Sequence, residues 1–409
     1  MKLQLSKHSQ NTIKGTVQVT GSKSETNRLL LLNALYPNLT LSNVSISDDG
    51  RVMEAGLQKK QGQVDIHHAG TAMRFLTAFF ASQEGREVVL TGSARMKQRP
   101  IGVLVEALKS LGAEIEFLET EGCPPLKIKG KQLSKTHVSL PANVSSQYIS
   151  ALLLIAPSLP SGLTLELVGK ITSVPYIKMT LSLLEQLGVT TSFKENIITV
   201  AHKSEVPDMT LEVESDWSSA SYFYSILALS APGSEVTLRS YRNNSLQGDS
   251  VCQKIYEAFG VETRFEDQTM TLRKRQVELP ERFECDLANA PDIAQTLAVT
   301  CCGLGIGCYL TGLHTLPIKE TDRLAAMKTE LSKLGAEVDT DDKSLTLAPS
   351  TEIKENVAID TYHDHRMAMA FGPLALRTSL FINEAEVVSK SYPEYWNDLK
   401  LLGFEIKEV

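Results

Sequence analysis

Apolar positions along the chain recur in one signature: an amphipathic helix ending in an apolar residue and glycine, then a short alternating strand. It first occurs in Ala107-Leu108-Lys109-Ser110-Leu111-Gly112-Ala113-Glu114-Ile115-Glu116-Phe117. It returns at residues 184–188 with Val189, 256–260 with Val261, 331–335 with Ala336-Glu337-Val338, and 399–403 with Phe404-Glu405-Ile406. Glycine after the last apolar position is a left-handed helix C-cap, and alternation beyond it is a half-buried strand. Gly112, Gly188, Gly260, Gly335 and Gly403 stand 68 to 76 residues apart, so an internal repeat explains the pattern better than chance.

Each period holds two helices, with starts predicted near Ser24 and Gly50, Thr71 and Pro100, Ser145 and Pro175, Asp216 and Gly248, Asp292 and Glu320, and Arg366 and Pro393. Twelve helices with short β-rich stretches between them predict an α/β chain of six βαβαββ-like units. The first unit is abridged, because residues 49–70 carry one weak helix and neither an apolar-Gly cap nor a strand pair. Six units divide as three and three, with domains predicted at residues 15–214 and at 1–14 plus 215–409.

Composition narrows the function. At 409 residues with a net charge of −7, any anion site must be a local concentration of Lys and Arg in an acidic shell, and a general nucleic-acid surface is disfavoured. An aromatic content of 6% disfavours base-stacking platforms. Residues 1–14 are polar and mixed, without a signal-peptide core, and no apolar run approaches the length of a membrane span. Six cysteines without a C-x-x-C pair or a metal-like grouping with histidine read as reduced, mostly buried thiols. A cytoplasmic monomer without metal or cofactor is expected.

The candidate chemistry sits at helix starts. Gly21-Ser22-Lys23-Ser24-Glu25-Thr26-Asn27-Arg28 runs into an apolar helix, placing free N–H groups and the positive end of the dipole beside cationic side chains. It lacks the two spaced glycines of a Walker loop. A Ser-capped helix with solvated cations gives the same local pattern. Nine further starts share the chemistry, among them Ala69-Gly70-Thr71, Arg95 to Pro100, Ser145-Ser146-Gln147, Ser173 to Tyr176, Asp216 to Ser219, Pro291-Asp292, Lys319 to Arg323, Asp364-His365-Arg366 and Ser389-Lys390. A mere cap needs one Ser, Thr or Asp and no repeated Lys or Arg in the same turn. Two phosphates and two carboxylates carry about −5 to −6, a load matched by Lys23, Arg28, Arg99, Lys319, Arg323, Arg366 and Lys390.

These motifs, in this order, resemble the 5-enolpyruvylshikimate-3-phosphate synthase family. The resemblance rests on Gly21-Ser22-Lys23-Ser24-x-x-Asn27-Arg28, Ala69-Gly70-Thr71-Ala72-Met73-Arg74, Arg95-Met96-Lys97-x-Arg99-Pro100, Lys319-Glu320-Thr321-Asp322-Arg323 and Asp364-His365-Arg366-Met367-Ala368. It implies two domains of three βαβαββ units, an inverse α/β barrel, closing on substrate like a clam. It implies transfer of the enolpyruvyl group of phosphoenolpyruvate to shikimate 3-phosphate, with release of phosphate through a tetrahedral intermediate not attached to the enzyme. The N-terminal domain would be the shikimate 3-phosphate half-site and the C-terminal domain the phosphoenolpyruvate half-site. Shikimate 3-phosphate would be held by Lys23, Ser24, Arg28, Ser145, Ser146, Gln147, Ser173, Tyr176, Asp292 and Lys319. Phosphoenolpyruvate would be held by Lys23, Gly70, Arg99, Gln147, Arg323, Arg366 and Lys390. Asp292 resembles the base for the 5-hydroxyl proton; Glu320 resembles the acid that protonates the enol methylene, with Lys23 assisting. The lesser alternative for Glu320, given its place between Lys319 and Arg323, is a first-turn acid favoured by a helix dipole.

His68 stands where the family commonly has Asn, Phe75 where it has Pro, and His363 where it has Asn. Gly70 and Thr71 are retained, so the phosphonate analogue glyphosate is expected to compete with phosphoenolpyruvate; no competition at millimolar concentration would contradict this. UDP-N-acetylglucosamine enolpyruvyl transferases, the nearest alternative, typically carry a reactive cysteine on the loop that here reads Ser93 to Arg99, and the first cysteine of this chain is Cys123. A non-catalytic phosphosugar-binding protein would keep the cations without the pair Asp292 and Glu320.

Overall fold

The computed structural model describes residues 1–8, 12–141, 145–169, 171, 174–350 and 352–409. The chain divides into two compact units: an N-terminal unit, Gly21–Val213, and a C-terminal unit formed by Met1–Thr20 and Glu214–Val409. Each has its own apolar core.

The repeat is visible in the sheets. Among the described residues, five are four-stranded and one is two-stranded. In the sheet of Gln61–Asp65, Glu87–Thr91, Leu126–Lys129 and Glu114–Phe117, the first two strands are parallel and the remaining pairings antiparallel. Four other sheets repeat that order, starting from His137–Pro141 in the N-terminal unit and from Lys14–Val17, Arg282–Asp286 and Val357–Ile359 in the C-terminal unit. The sixth consists only of Met209–Glu212 parallel to Leu39–Ser42. This is the abridged unit: it keeps the parallel crossover and lacks the hairpin, as the missing cap after helix Asp48–Gln58 foretold.

All five repeat glycines have positive φ, between 74° and 109°. The helix ends are Schellman caps: Ala113 N–H reaches Leu108 O, Val189 reaches Leu184 O, Ala336 reaches Leu331 O and Phe404 reaches Leu399 O, at 2.9 to 3.1 Å. A Cβ at those φ values is strained, which is why glycine recurs there.

The N-terminal residues refine the predicted boundary. Leu3–Leu5 completes the last sheet between Leu380–Ile382 and Ile406–Glu408, and Lys14–Val17 pairs with Glu235–Arg239. Residues 15–20 therefore lie in the C-terminal unit and not, as expected, in the N-terminal one. Only Val17 of that strand is buried, so no alternation marked it.

Twelve α-helices occur among the described residues. In each unit an inner set is buried on nearly every face: Gly70–Ser82 and Ser146–Ile155 in one, Trp217–Leu229 and Ala294–Leu304 in the other. Helices apolar all round belong in a core, with sheets outside. Helix starts that carry the chemistry include those of these inner helices and of Lys23–Leu35, Arg323–Lys333 and His365–Phe371.

Candidate active site

In the N-terminal unit, helix Lys23–Leu35 starts at Ser22 without a side-chain cap. A Cβ on Gly21 would lie 1.9 Å from Asn43 O, so only glycine lets the chain approach there. Lys23 Nζ lies 3.2 Å from Asp49 Oδ2. Arg28 is buried: Nε donates to Thr180 Oγ1 at 2.8 Å, Nη1 to Ser24 O at 2.7 Å, and Nη2 to Ser150 Oγ at 2.9 Å and Tyr176 O at 3.5 Å. Its guanidinium stands 5.4 Å from the Phe75 ring and 5.9 Å from the Tyr176 ring. Burial lowers its pKa to about 10. Most of its nitrogens are thus engaged by protein oxygens.

Helix Gly70–Ser82 likewise starts without a side-chain cap. A Cβ on Gly70 would meet Arg99 Nη1 at 2.6 Å, so glycine admits the guanidinium onto the helix start. Arg74 braces this arrangement from below, donating to Gly70 O at 3.1 Å and Pro100 O at 2.9 Å. Tyr148 Oη donates to the same Pro100 carbonyl. Burial, then the nearby Arg99 charge, lowers the Arg74 pKa to about 10. Gln147 Nε2 donates to Thr71 Oγ1 at 3.1 Å, joining two inner-helix starts, and Ser145 Oγ caps its helix at Gln147 N–H. Ser146 is buried beside them. Ser173 lies outside the described residues. Among the described residues, Arg28, Arg74 and Arg99 have no ion-pair partner.

The C-terminal unit is the opposite case. Arg323, 1% exposed, donates from Nε to Asp364 Oδ2 at 2.7 Å, from Nη1 to Asp292 Oδ1 at 2.9 Å and from Nη2 to Glu320 Oε2 at 3.0 Å. Arg366 Nη2 reaches Asp292 Oδ2 at 3.0 Å, Lys319 Nζ lies 3.4 Å from Asp292 Oδ1, and Lys390 Nζ donates to Glu320 Oε1 at 3.0 Å. Four cations and three carboxylates form one network. Burial pushes the Asp292 pKa up, but Arg366, Lys319 and Arg323 outweigh it and hold the group well below the ordinary carboxylate value. Burial would lower the Arg323 pKa; Asp364, Glu320 and Asp292 raise it above its usual value instead.

Glu320 is not a first-turn acid. Its helix begins at Arg323, and Asp322 caps it by accepting from Leu324 and Ala325 N–H, each at 3.1 Å. Asp364, fully buried, both caps helix His365–Phe371 and grips Arg323. Its role, and those of Asp49, Arg74, Ser218 and Asp249, went unread in the sequence. An acid in the helix-start motif was the available signal for Asp364.

The three departures fall in different settings. His68 Nδ1 is 2.9 Å from Ser93 Oγ, Phe75 is fully buried against Arg28, and the exposed His363 adopts a φ of 55° beside Glu384.

Helix starts carrying cations and a carboxylate pair, on a six-unit α/β repeat, define a transferase of the enolpyruvyl class. The family model described as EPSP synthase (3-phosphoshikimate 1-carboxyvinyltransferase) matches residues 42–399. A 3-phosphoshikimate 1-carboxyvinyltransferase of Bacteroides fragilis is 44% identical over 97% of both chains, and one of Photobacterium damsela subsp. piscicida is 39% identical over 96% of this chain and 98% of its own. The EPSP synthase structure from Acinetobacter baumannii superposes with a TM-score of 0.79 at 21% identity, covering both chains fully. The enolpyruvyl transferase NikO from Streptomyces tendae gives 0.74 at 14%, covering all of this chain and 98% of its own. The chain belongs to the EPSP synthase family. No helix among the described residues is long and apolar enough to cross a membrane.

Proposed function

We propose that this chain transfers the enolpyruvyl group of phosphoenolpyruvate to the 5-hydroxyl of shikimate 3-phosphate, releasing phosphate. The observation that carries the reading is the Asp292–Arg323–Glu320 network, in which one buried guanidinium holds two carboxylates of opposite assignment. Glu320 gives a proton to the methylene carbon of phosphoenolpyruvate, making a methyl group and an oxocarbenium-like neighbour. The 5-oxygen attacks the neighbouring oxocarbenium-like carbon, not the new methyl, as Asp292 takes its proton, giving a tetrahedral intermediate that is not bonded to the protein. Loss of a methyl proton and departure of phosphate then restore the double bond.

Asp292 as it stands is too weak a base, because three cations hold its pKa down. Substrate anions that engage Arg366 and Lys319 withdraw that stabilisation and raise its proton affinity at the moment of need. In the same proposal Lys23, Gly70, Arg99, Gln147, Arg366 and Lys390 receive the phosphoenolpyruvate anion, with Arg323 orienting the carboxylates. Lys23, Ser24, Ser145, Ser146, Tyr176 and Lys319 receive shikimate 3-phosphate, with Arg28 contributing charge from beneath. Fixed cations stabilise developing charge without reorganising. The protein works as a cytoplasmic monomer, which sedimentation would check.

Turnover in deuterium oxide tests the route. A transient methyl group requires deuterium in the vinyl methylene of the product, and its absence would remove the addition–elimination mechanism.

A further inference from the structure

Arg366 is anchored by more than its carboxylate. Its Nη2 makes two contacts, to Asp292 Oδ2 at 3.0 Å and to Ser218 Oγ at 3.2 Å. Among the described residues its Nε and Nη1 have no side-chain partner. Ser218 Oγ in turn donates to Asp249 Oδ2. A hydroxyl has one proton, so donating to Asp249 obliges it to accept from Arg366. The chain Arg366 to Ser218 to Asp249 is therefore directional, and together with the Asp292 contact it spends both hydrogens of Nη2.

Asp249 itself is 5% exposed and lies in the short turn Gly248–Val251. Among the described residues it has no ion-pair partner within contact distance, only the Ser218 hydroxyl. A buried carboxylate with so little compensation is a cost the fold would shed if it served packing alone. The turn is held in register by its neighbour: Gln247 Oε1 accepts from Trp217 N–H at 3.0 Å, and Gln247 Nε2 donates to Ser215 O at 2.9 Å. Asp249 thus holds the Ser218 hydroxyl while Gln247, two residues earlier, holds the backbone just before Ser218.

We infer that Asp249, acting through the Ser218 hydroxyl, is a positioning residue that orients Arg366 so that its Nε–Nη1 edge is presented to the carboxylate of phosphoenolpyruvate. Neither residue touches the reacting atoms. Burial, followed by the charge of Asp292, raises the Asp249 pKa to about 6, against the opposing pull of Arg366 and the Ser218 hydrogen bond. Asp216 and Cys252 are the other titratable groups facing it. Protonated Asp249 no longer compels the serine to accept from Arg366, so orientation weakens as pH falls through that value.

The inference rests on the proposed reaction, so wild-type phosphate release with both substrates is measured first; no release by wild type defeats that reading and not this one. With wild type active, S218A and D249A are expected to raise KM for phosphoenolpyruvate about 10- to 100-fold, the loss expected of one charge-assisted contact. KM for shikimate 3-phosphate should stay within about twofold. S218T, which keeps the hydroxyl, should recover most of the loss. D249N should remove the wild-type fall in kcat/KM below about pH 6 without lowering the melting temperature, because it deletes a buried charge. A rise in both KM values together, a lowered melting temperature in D249N, or an unchanged KM for phosphoenolpyruvate in S218A would each overturn the inference.

Discussion

The two units hold the charge of their arginines in opposite ways, although Lys23 of the N-terminal unit is paired with Asp49. In the N-terminal unit Arg28 and Arg74 are buried with neutral hydrogen-bond partners and no ion pair among the described residues, the buried Glu25 acting on Arg28 only at longer range, and Arg99 lies against Gly70 with no acid within reach among the described residues. In the C-terminal unit Arg323, Arg366, Lys319 and Lys390 are each bound to Asp292, Glu320 or Asp364. Buried charge without a counter-charge raises the energy of the empty protein and is relieved by an anion. Charge already paired costs less when empty, but it must be handed over when an anion arrives, and the released carboxylate changes its proton affinity. The first arrangement suits binding; the second suits proton transfer coupled to binding.

The largest effects should come from the carboxylates of the paired set. D292N and E320Q should each reduce kcat about 10²- to 10⁴-fold, measured by phosphate release, with both proteins folded; a tenfold loss or less would remove the acid–base assignment. Next, D364N leaves Arg323 undercompensated and should destabilise the fold by about 3–5 kcal/mol, read by urea unfolding. Its counterpart R99A leaves no protein group unpaired, so it should cost about 1.5–3 kcal/mol in kcat/KM for phosphoenolpyruvate and almost nothing in stability. Equal stability losses in the two variants would erase the contrast.

Smaller effects sharpen it. Sulfate should raise the melting temperature by about 2–4 °C, more than sodium chloride at the same ionic strength, and R99A should shrink the increment. Acid should separate the carboxylates by sign. The folded pKa of Asp292 is depressed, so its contribution is complete above the ordinary value of 3.8 and is lost only as pH falls toward its folded value. Asp249, raised to about 6, weakens the fold above that pH and ceases to as it protonates. Melting curves between pH 8 and 3 should therefore show no loss from Asp292 until below about 4.

Much of this architecture was legible in the sequence because it is local. A positive-φ glycine after an apolar residue is decided within five positions, so all five caps and the missing hairpin of the first unit could be read. The short strand Lys14–Val17 could not, since its partner lies more than 200 residues away and one side chain alone is buried. The site residues divide similarly. Lys319, Glu320 and Arg323 advertise themselves within one turn, whereas the hydroxyls of Thr180 and Ser150 that Arg28 donates to lie over 100 residues on and could not be read beside it. Asp364 stands in a helix-start motif and caps that helix; that it also holds Arg323 depends on a pairing 41 residues apart.

The most direct test is phosphate release from phosphoenolpyruvate by the purified protein, with shikimate 3-phosphate or UDP-N-acetylglucosamine as acceptor. Release should require shikimate 3-phosphate and be absent with the UDP-sugar. Release with the UDP-sugar alone would contradict the assignment of both half-sites.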